Sequence, residues 1–288
     1  MHTLGKANLF MISIWALLAS AMVQGSDKPF SQLSKREPKP VNRILVVSGL
    51  SSWWSKHSCG ITATTRIKSS IKQMRRYAIA ASSFLEADDS YSTAAYIAWF
   101  GVENANPTTA KGIINNIYNP IKALGRYAPG QINELTPTEG AVVIGCSSDK
   151  EECKGKRALA WAGNKAIIEL CPDFFEDLFR NEEIALEDWQ KRRELVKTES
   201  RTLLHEMTHL KAVAGDWETD DYASSYEVPE LVALDDWQKI RNAENYALFA
   251  LDAYADPSHA AQHVDLQSSN PLQEALSLLG AGTSSARE

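Results

Sequence analysis

The segment Thr202-Leu203-Leu204-His205-Glu206-Met207-Thr208-His209-Leu210 contains the pattern His-Glu-x-x-His, and it constrains the chain more than any other feature. On an α-helix, residues four apart share one face, so His205 and His209 can turn their imidazoles towards one metal ion. Glu206 stands beside them, able to take a proton from water rather than bind the metal itself. Leu203, Met207 and Leu210 recur at helical spacing and predict a buried opposite side. A fold built on such a helix needs a substantial core, and 288 residues with 44% hydrophobic and 23% charged side chains can supply one. The net charge of −6 offers no basic excess, so nucleic acid is excluded as a partner.

Residues 1–25 read as a secretory signal peptide. They hold one lysine, Lys6, then an apolar run from Leu9 to Val23 broken only by Ser13 and Ser20, with cleavage expected after Gly25. The run is short for a spanning helix, so no membrane association is expected once the signal is removed. Residues 26–42 are polar and proline-bearing and read as a linker, or as a short pro-segment cut at Lys35-Arg36. In an exported chain Cys59, Cys146, Cys153 and Cys171 read as two disulfides. The seven-residue gap between Cys146 and Cys153 suits no paired-cysteine zinc knuckle. Asn106 is followed by Pro107, so no N-glycosylation is expected.

Residues 43–49 form a β-like run. Ile67, Ile71, Met74, Ala78, Ala81 and Leu85 fall at spacings of three and four, predicting an amphipathic helix from Thr62 to Glu86. A second helix runs from Ser92 to Phe100, closed by Gly101. A third follows Pro107 with Thr108 as its cap, and Asn119-Pro120 is a point of interruption. Ala141 to Ile144, Ala158 to Trp161 and Ala166 to Leu170 are short strands, with a turn at Gly163-Asn164. The pattern predicts an α+β fold, mainly helical, with a small antiparallel sheet beside the active-site helix whose edge strand could pair with an extended peptide. A helix from Trp189 to about Val213 carries the metal motif, and another runs from Arg241 to about Tyr254. The catalytic domain is expected to span 43–256, and the small, polar segment 257–288 to be a disordered tail in which His259 and His263 face solvent.

A catalytic zinc takes three protein ligands and keeps one position open for water. A metzincin would place its third histidine at x-x-Gly-x-x-His, but the chain holds Ala212 at the glycine's place and Gly215 at the histidine's. A thermolysin-like enzyme would recruit a glutamate such as Glu227, Glu230 or Glu244. Asp221 lies closer, in a Thr-x-Asp turn directly after the helix.

Thr219-Asp220-Asp221 after His-Glu-x-x-His resembles the Gly-Thr-x-Asp-x-x-Tyr-Gly loop of the deuterolysin group of secreted fungal metallopeptidases, the aspzincins. The run Asn242-Ala243-Glu244-Asn245-Tyr246-Ala247-Leu248-Phe249-Ala250 is similar to the Asn-Ala-Asp-x-Tyr-Ala-x-Tyr-Ala helix of that family, and the cysteine spacings resemble its framework. The resemblance, running from about residue 59 to 254, implies a zincin-like fold, Zn²⁺ held by His205, His209 and Asp221, and Glu206 as the general base. It also implies the pairs Cys59–Cys146 and Cys153–Cys171. Glu218 stands where the family has glycine, Ser224 where it has tyrosine, and Ser225 where a second glycine follows. Tyr226 or Tyr222 is then the candidate oxyanion donor, and Asp220 a carboxylate that could orient a histidine.

The implied activity is that of a secreted, extracellular, monomeric zinc endopeptidase acting on protein or peptide substrates. The alternative, drawn from Ser224 and Ser225, is a secreted zinc-binding module impaired in cleavage. Relatives include enzymes that cut before lysine, which requires an acidic specificity pocket; the chain has many acids and none that its sequence assigns to one.

Overall fold

The computed structural model describes residues 41–49, 56–126, 129–149, 151–160, 165–176 and 182–280. The expected signal peptide, nearly all of the linker and the Gly163-Asn164 turn lie outside the described residues. In chain order come β1 (Arg43–Val47), α1 (Ile61–Leu85), α2 (Ala94–Phe100), α3 (Pro107–Ile113), a π turn (Ile114–Tyr118), α4 (Asn119–Leu124), β2 (Gly130–Ile132), β3 (Ala141–Cys146), β4 (Ala158–Ala160) and β5 (Ile167–Leu170). There follow α5 (Glu182–Arg192), α6 (Glu199–His209), α7 (Lys211–Ala214), α8 (Val228–Val232), α9 (Asp236–Lys239), α10 (Ala243–Ala255), α11 (Pro257–Ala260) and α12 (Pro271–Leu278).

The fold is mixed α+β, but the sheet corrects the expectation of a small antiparallel one. Its order is β2-β1-β3-β5-β4; β1 runs parallel to β2 and β3, β3 parallel to β5, and only β4 lies antiparallel, on β5. The cause is burial on both faces. Val46, Val47, Val142, Val143, Ile144, Ile168 and Leu170 are all inaccessible to solvent. Such continuous apolar strands suit a covered parallel sheet, and α1 to α4 provide the long crossover from β1 to β2. Val47, Val143 and Ile167 meet at the centre of one face, with Leu45, Ile132 and Leu135 packed against them. β4, with its short connection to β5, is left as an edge.

The helices follow their periodicity with three exceptions. Asn106, not Thr108, caps α3, its Oδ1 accepting from the Thr109 N–H. Pro120 does not end the helix; the π turn precedes it, where proline has no N–H for an ordinary helical bond. The third exception bears on the site, because the span expected as one helix from Trp189 to Val213 holds the end of α5, all of α6 and most of α7. Arg193 takes a left-handed φ of 53° after α5, and Thr198 caps α6 afresh by accepting from the Arg201 N–H. What bends the chain is distant in sequence. The Arg193 guanidinium pairs with fully buried Asp252 on α10, which also accepts from the indole N–H groups of Trp99 and Trp189 at 2.6 and 2.8 Å.

Helix α10 is buried on every side from Ala243 to Ala253, its polar residues Glu244, Asn245 and Asp252 each facing a partner in the interior. α6 packs against both α1 and α10, with β4 alongside. Two disulfides staple this arrangement. Cys59–Cys146 ties the start of α1 to the end of β3, and Cys153–Cys171 closes the loop that carries β4. The segment after Pro257, expected to be disordered, is folded as far as Gly280. The Val264 N–H bonds to the Ser92 carbonyl and the Ala94 N–H to the Gln262 carbonyl, and α12 packs on α2, burying Ala275; Leu279, just beyond it, is buried too. Leu272, Ala275, Leu276 and Leu279 hold a helical spacing that the surrounding small polar residues disguise.

Candidate active site

Helix α6 buries Leu203, Leu204 and Met207 completely, and this fixes the opposite side with His205 and His209 towards a cavity of about 1150 Å³. Each ring is held at Nδ1. His205 Nδ1 lies 2.9 Å from Glu244 Oε2, and His209 Nδ1 lies 2.9 Å from the Thr219 carbonyl. Both partners only accept, so both imidazoles carry their proton on Nδ1 and leave a bare lone pair on Nε2. Those two nitrogens face each other at 3.1 Å, and the Asp221 carboxylate stands 3.3 Å from one and 3.6 Å from the other. Their ligand atoms all lie within 4.8 Å of one another.

Three acceptors converging without a donor between them repel one another unless a cation sits among them, and two imidazoles with a carboxylate are a donor set suited to zinc. The residues fit a divalent metal. The electrostatics agree. Burial disfavours charge on His205, yet Asp221 and Glu244 outweigh it and raise the imidazole to about 10. Burial also opposes ionisation of Asp221, but the two imidazoles hold its carboxyl far below the usual carboxylate range. The cluster calls for positive charge, which a metal ion satisfies as a proton would.

The loop that carries Asp221 is fastened at both ends. The Thr219 N–H bonds to the Thr208 carbonyl and the two hydroxyls meet at 2.7 Å, tying the loop to α6. Asp220 exchanges backbone hydrogen bonds with Arg241 and Ala243, and Asn242 Oδ1 accepts from the Tyr222 N–H, tying it to the start of α10. Asn242 bonds in turn to Asn245, whose amide reaches the Trp99 carbonyl. The run that resembles a family helix in the sequence therefore works as the loop's anchor. The Asp220 side chain is exposed, and the acceptors that orient the histidines are Glu244 and the Thr219 carbonyl.

Glu206 is buried beside the rings, where the Ala160 N–H on β4 donates to it; burial raises its pKa against the pull of the two histidines. The Tyr226 ring stands edge-on to His205 with centroids 5.5 Å apart, and its hydroxyl bonds to Asp221. Tyr222 instead packs on Trp237. Ser224 and Ser225 turn to Glu230, 2.8 Å from the Ser224 hydroxyl. Glu227 and Glu230 are exposed, and neither belongs to the cluster of His205, His209 and Asp221.

Two residues of the site have roles that the sequence does not declare. Glu244, at the acidic place of the run Asn242-Ala243-Glu244 and otherwise only a candidate ligand, orients His205, and Arg201, one turn before His205, sits with Nε 3.3 Å from Glu244 Oε1. Burial works against the Glu244 charge, and Arg201 and His205 together keep its pKa below the ordinary value. An arginine at that spacing from a metal-binding histidine was the available signal.

Residues 85–251 match the model of a family described as lysine-specific metallo-endopeptidase, the aspzincins. Among solved structures the chain is similar to a zinc peptidase from Grifola frondosa, with 16% sequence identity and a TM-score of 0.47, over 69% of this chain and 99% of that one. No curated protein matches significantly.

Proposed function

We propose, since the chain belongs to the aspzincin family of metallopeptidases, that it is a secreted zinc endopeptidase of zincin-like design that hydrolyses peptide bonds in extended substrates. The convergence of His205 Nε2, His209 Nε2 and an Asp221 oxygen, with no donor among them, carries this reading. In it these three residues hold the ion. Zinc so bound supplies Lewis acidity, polarising the peptide carbonyl and drawing the pKa of a water towards neutrality. Glu206 accepts the proton of the attacking water and returns it to the leaving amine, a role suited to a buried carboxyl whose pKa lies above the usual range. Tyr226, beside His205, donates its hydroxyl to the oxyanion as it develops. Glu244 and the Thr219 carbonyl keep both rings in the tautomer that frees Nε2.

Substrate backbone pairs with β4. That strand is the edge of the sheet that lines the cavity, and it already touches Glu206 through Ala160, so a peptide laid along it passes over the cluster. Ser224 and Ser225, which motivate the non-cleaving alternative, are engaged with Glu230, and Tyr226 takes up the place beside the site. Secretion is supported by two disulfides and by the form of residues 1–25. Among the described residues no helix is long and apolar enough to cross a membrane. Casein digestion tests the activity. Cleavage abolished by a chelator and restored by zinc is the expected result, and bound zinc without cleavage refutes it.

A further inference from the structure

The cavity is lined by six basic and six acidic residues, so its preference depends on which charges are already spent. Three carboxylates lie deep. Glu206 accepts from the Ala160 N–H, Asp221 faces both histidines, and Glu244 is shared between His205 and Arg201. At the rim, Asp216 and Glu218 stand 3.9 and 3.5 Å from the one amine of Lys211, and the sixth acid, Asp220, is exposed, where water screens its charge. Among the cations, Arg157 is held by four acceptors and Lys211 by the two rim acids. Lys197 is exposed, forms no ion pair among the described residues, and holds its amine 5.9 Å from the centroid of the Tyr226 ring, which itself abuts His205.

Arg201 is the strongest case. Its side chain is only 5% exposed, it lines the cavity, and its Nη1 is buried with no hydrogen-bond acceptor, while Nε has only Glu244. A buried guanidinium N–H without an acceptor costs free energy that an incoming carboxylate would recover, and arginine's planar fork suits a carboxylate. The opposite guest fares badly. A lysine side chain would need a desolvated carboxylate with no cation beside it; Glu244, the buried carboxylate beside the metal cluster that is neither ligand nor base, gives Oε2 to His205, and its Oε1, though without a hydrogen bond, stands 3.3 Å from the Arg201 Nε. A third cation beside Arg201 would be repelled.

We propose that Arg201 determines specificity, closing Glu244 to a lysine side chain and directing the cavity towards a substrate carboxylate. This rests on the peptidase reading and goes beyond it, since it sets this chain apart from the lysine preference in its family's description. An acidic side chain and a peptide's C-terminal carboxylate share this chemistry.

Fluorescence polarisation of labelled peptides on the zinc-loaded full chain carrying Glu206→Gln, which holds substrate without turnover, tests the proposal. The peptides are amidated at the C-terminus and differ at one residue, Glu, Gln or Lys. The expected result is binding at least tenfold tighter for Glu than for Lys, with Gln between and the advantage shrinking as salt rises. Free-acid versions of the same peptides separate the two sources: a gain independent of the varied residue assigns the carboxylate to the C-terminus. Adding Arg201→Gln should reduce the Glu-to-Lys ratio to threefold or less. Lys binding as tightly as Glu, or an unchanged ratio in the folded Arg201→Gln protein, overturns the inference. Should Arg201→Gln fail to fold, the ratio in the parent protein decides alone. If the wild-type zinc-loaded chain cuts none of these peptides, the peptidase reading fails while the binding ratio still judges Arg201.

Discussion

Glu244 and Asp221 both lie within reach of His205, and exchanging their roles would turn the site into that of a thermolysin-like enzyme. Asp221→Ala and Glu244→Gln tell them apart. Asp221 approaches both Nε2 atoms, whereas Glu244 touches only Nδ1 of His205, on the far side of the ring. Loss of a ligand removes its share of the metal's binding energy. Spread over four ligands, an apparent zinc affinity of about 10–16 kcal/mol gives about 3 kcal/mol each, or roughly a hundredfold in Kd. Glu244→Gln keeps an oxygen that can accept from Nδ1–H and weakens its charge, so the cost should sit near the low end of the tenfold to hundredfold range of outer-sphere partners, about tenfold. The same change strands the Arg201 guanidinium, whose only ionic partner among the described residues is Glu244. Breaking a buried pair costs about 3–5 kcal/mol, which at about 2–4 °C per kcal/mol lowers the Tm by roughly 6–20 °C. Zinc affinity by competition with a chromophoric chelator and Tm by circular dichroism thus separate the two residues: Asp221→Ala moves mainly the first and Glu244→Gln mainly the second. A zinc Kd within threefold of wild type for Asp221→Ala, with a hundredfold loss for Glu244→Gln, would refute the assignment.

Glu206→Gln should retain zinc and lower kcat by about 10²–10⁴, the usual worth of a positioned acid–base group, and full activity with bound zinc would remove it from the mechanism. Tyr226→Phe should lower kcat by about 10²–10³ with KM and zinc content little changed, whereas the same loss in Tyr222→Phe would move the oxyanion donor to the other tyrosine. Replacing Cys153 and Cys171 by serine opens a loop of sequence separation 18 and should cost about 3 kcal/mol, read as a Tm about 6–12 °C lower. Asp256 resists ionisation through burial, yet bonds from His259 and the Arg193 guanidinium hold its pKa below the usual value. A depressed folded pKa means stability present above the unfolded value of about 3.9 and lost as pH falls through the folded one. The Tm deficit of Asp256→Asn should therefore be full at pH 6 and fade below about pH 4; a deficit constant to pH 2 contradicts this.

What the sequence discloses and what it hides divide along the distance between the partners. His205, Glu206 and His209 declare themselves because helical spacing is local, and the buried faces of α1 and α6 follow from the same rule. Asp221 is legible because its loop follows α6 within a dozen residues. The break between α5 and α6 is not, since its cause is Arg193 reaching Asp252 across 59 positions. The sheet misleads for a related reason: β4 and β5 advertise a hairpin, while β1 meets β3 only after four helices have intervened. The tail shows the converse error, where composition argued for disorder although Leu272, Ala275, Leu276 and Leu279 kept a helical register. Arg201 joins both lessons. It shares a helix face with His205 by local spacing, but its meaning depends on Glu244, 43 residues away on α10. A motif can therefore name the chemistry of a site while its selectivity is set by a contact between two helices, and changing Arg201 should alter which peptide is held without altering how the bond is cut.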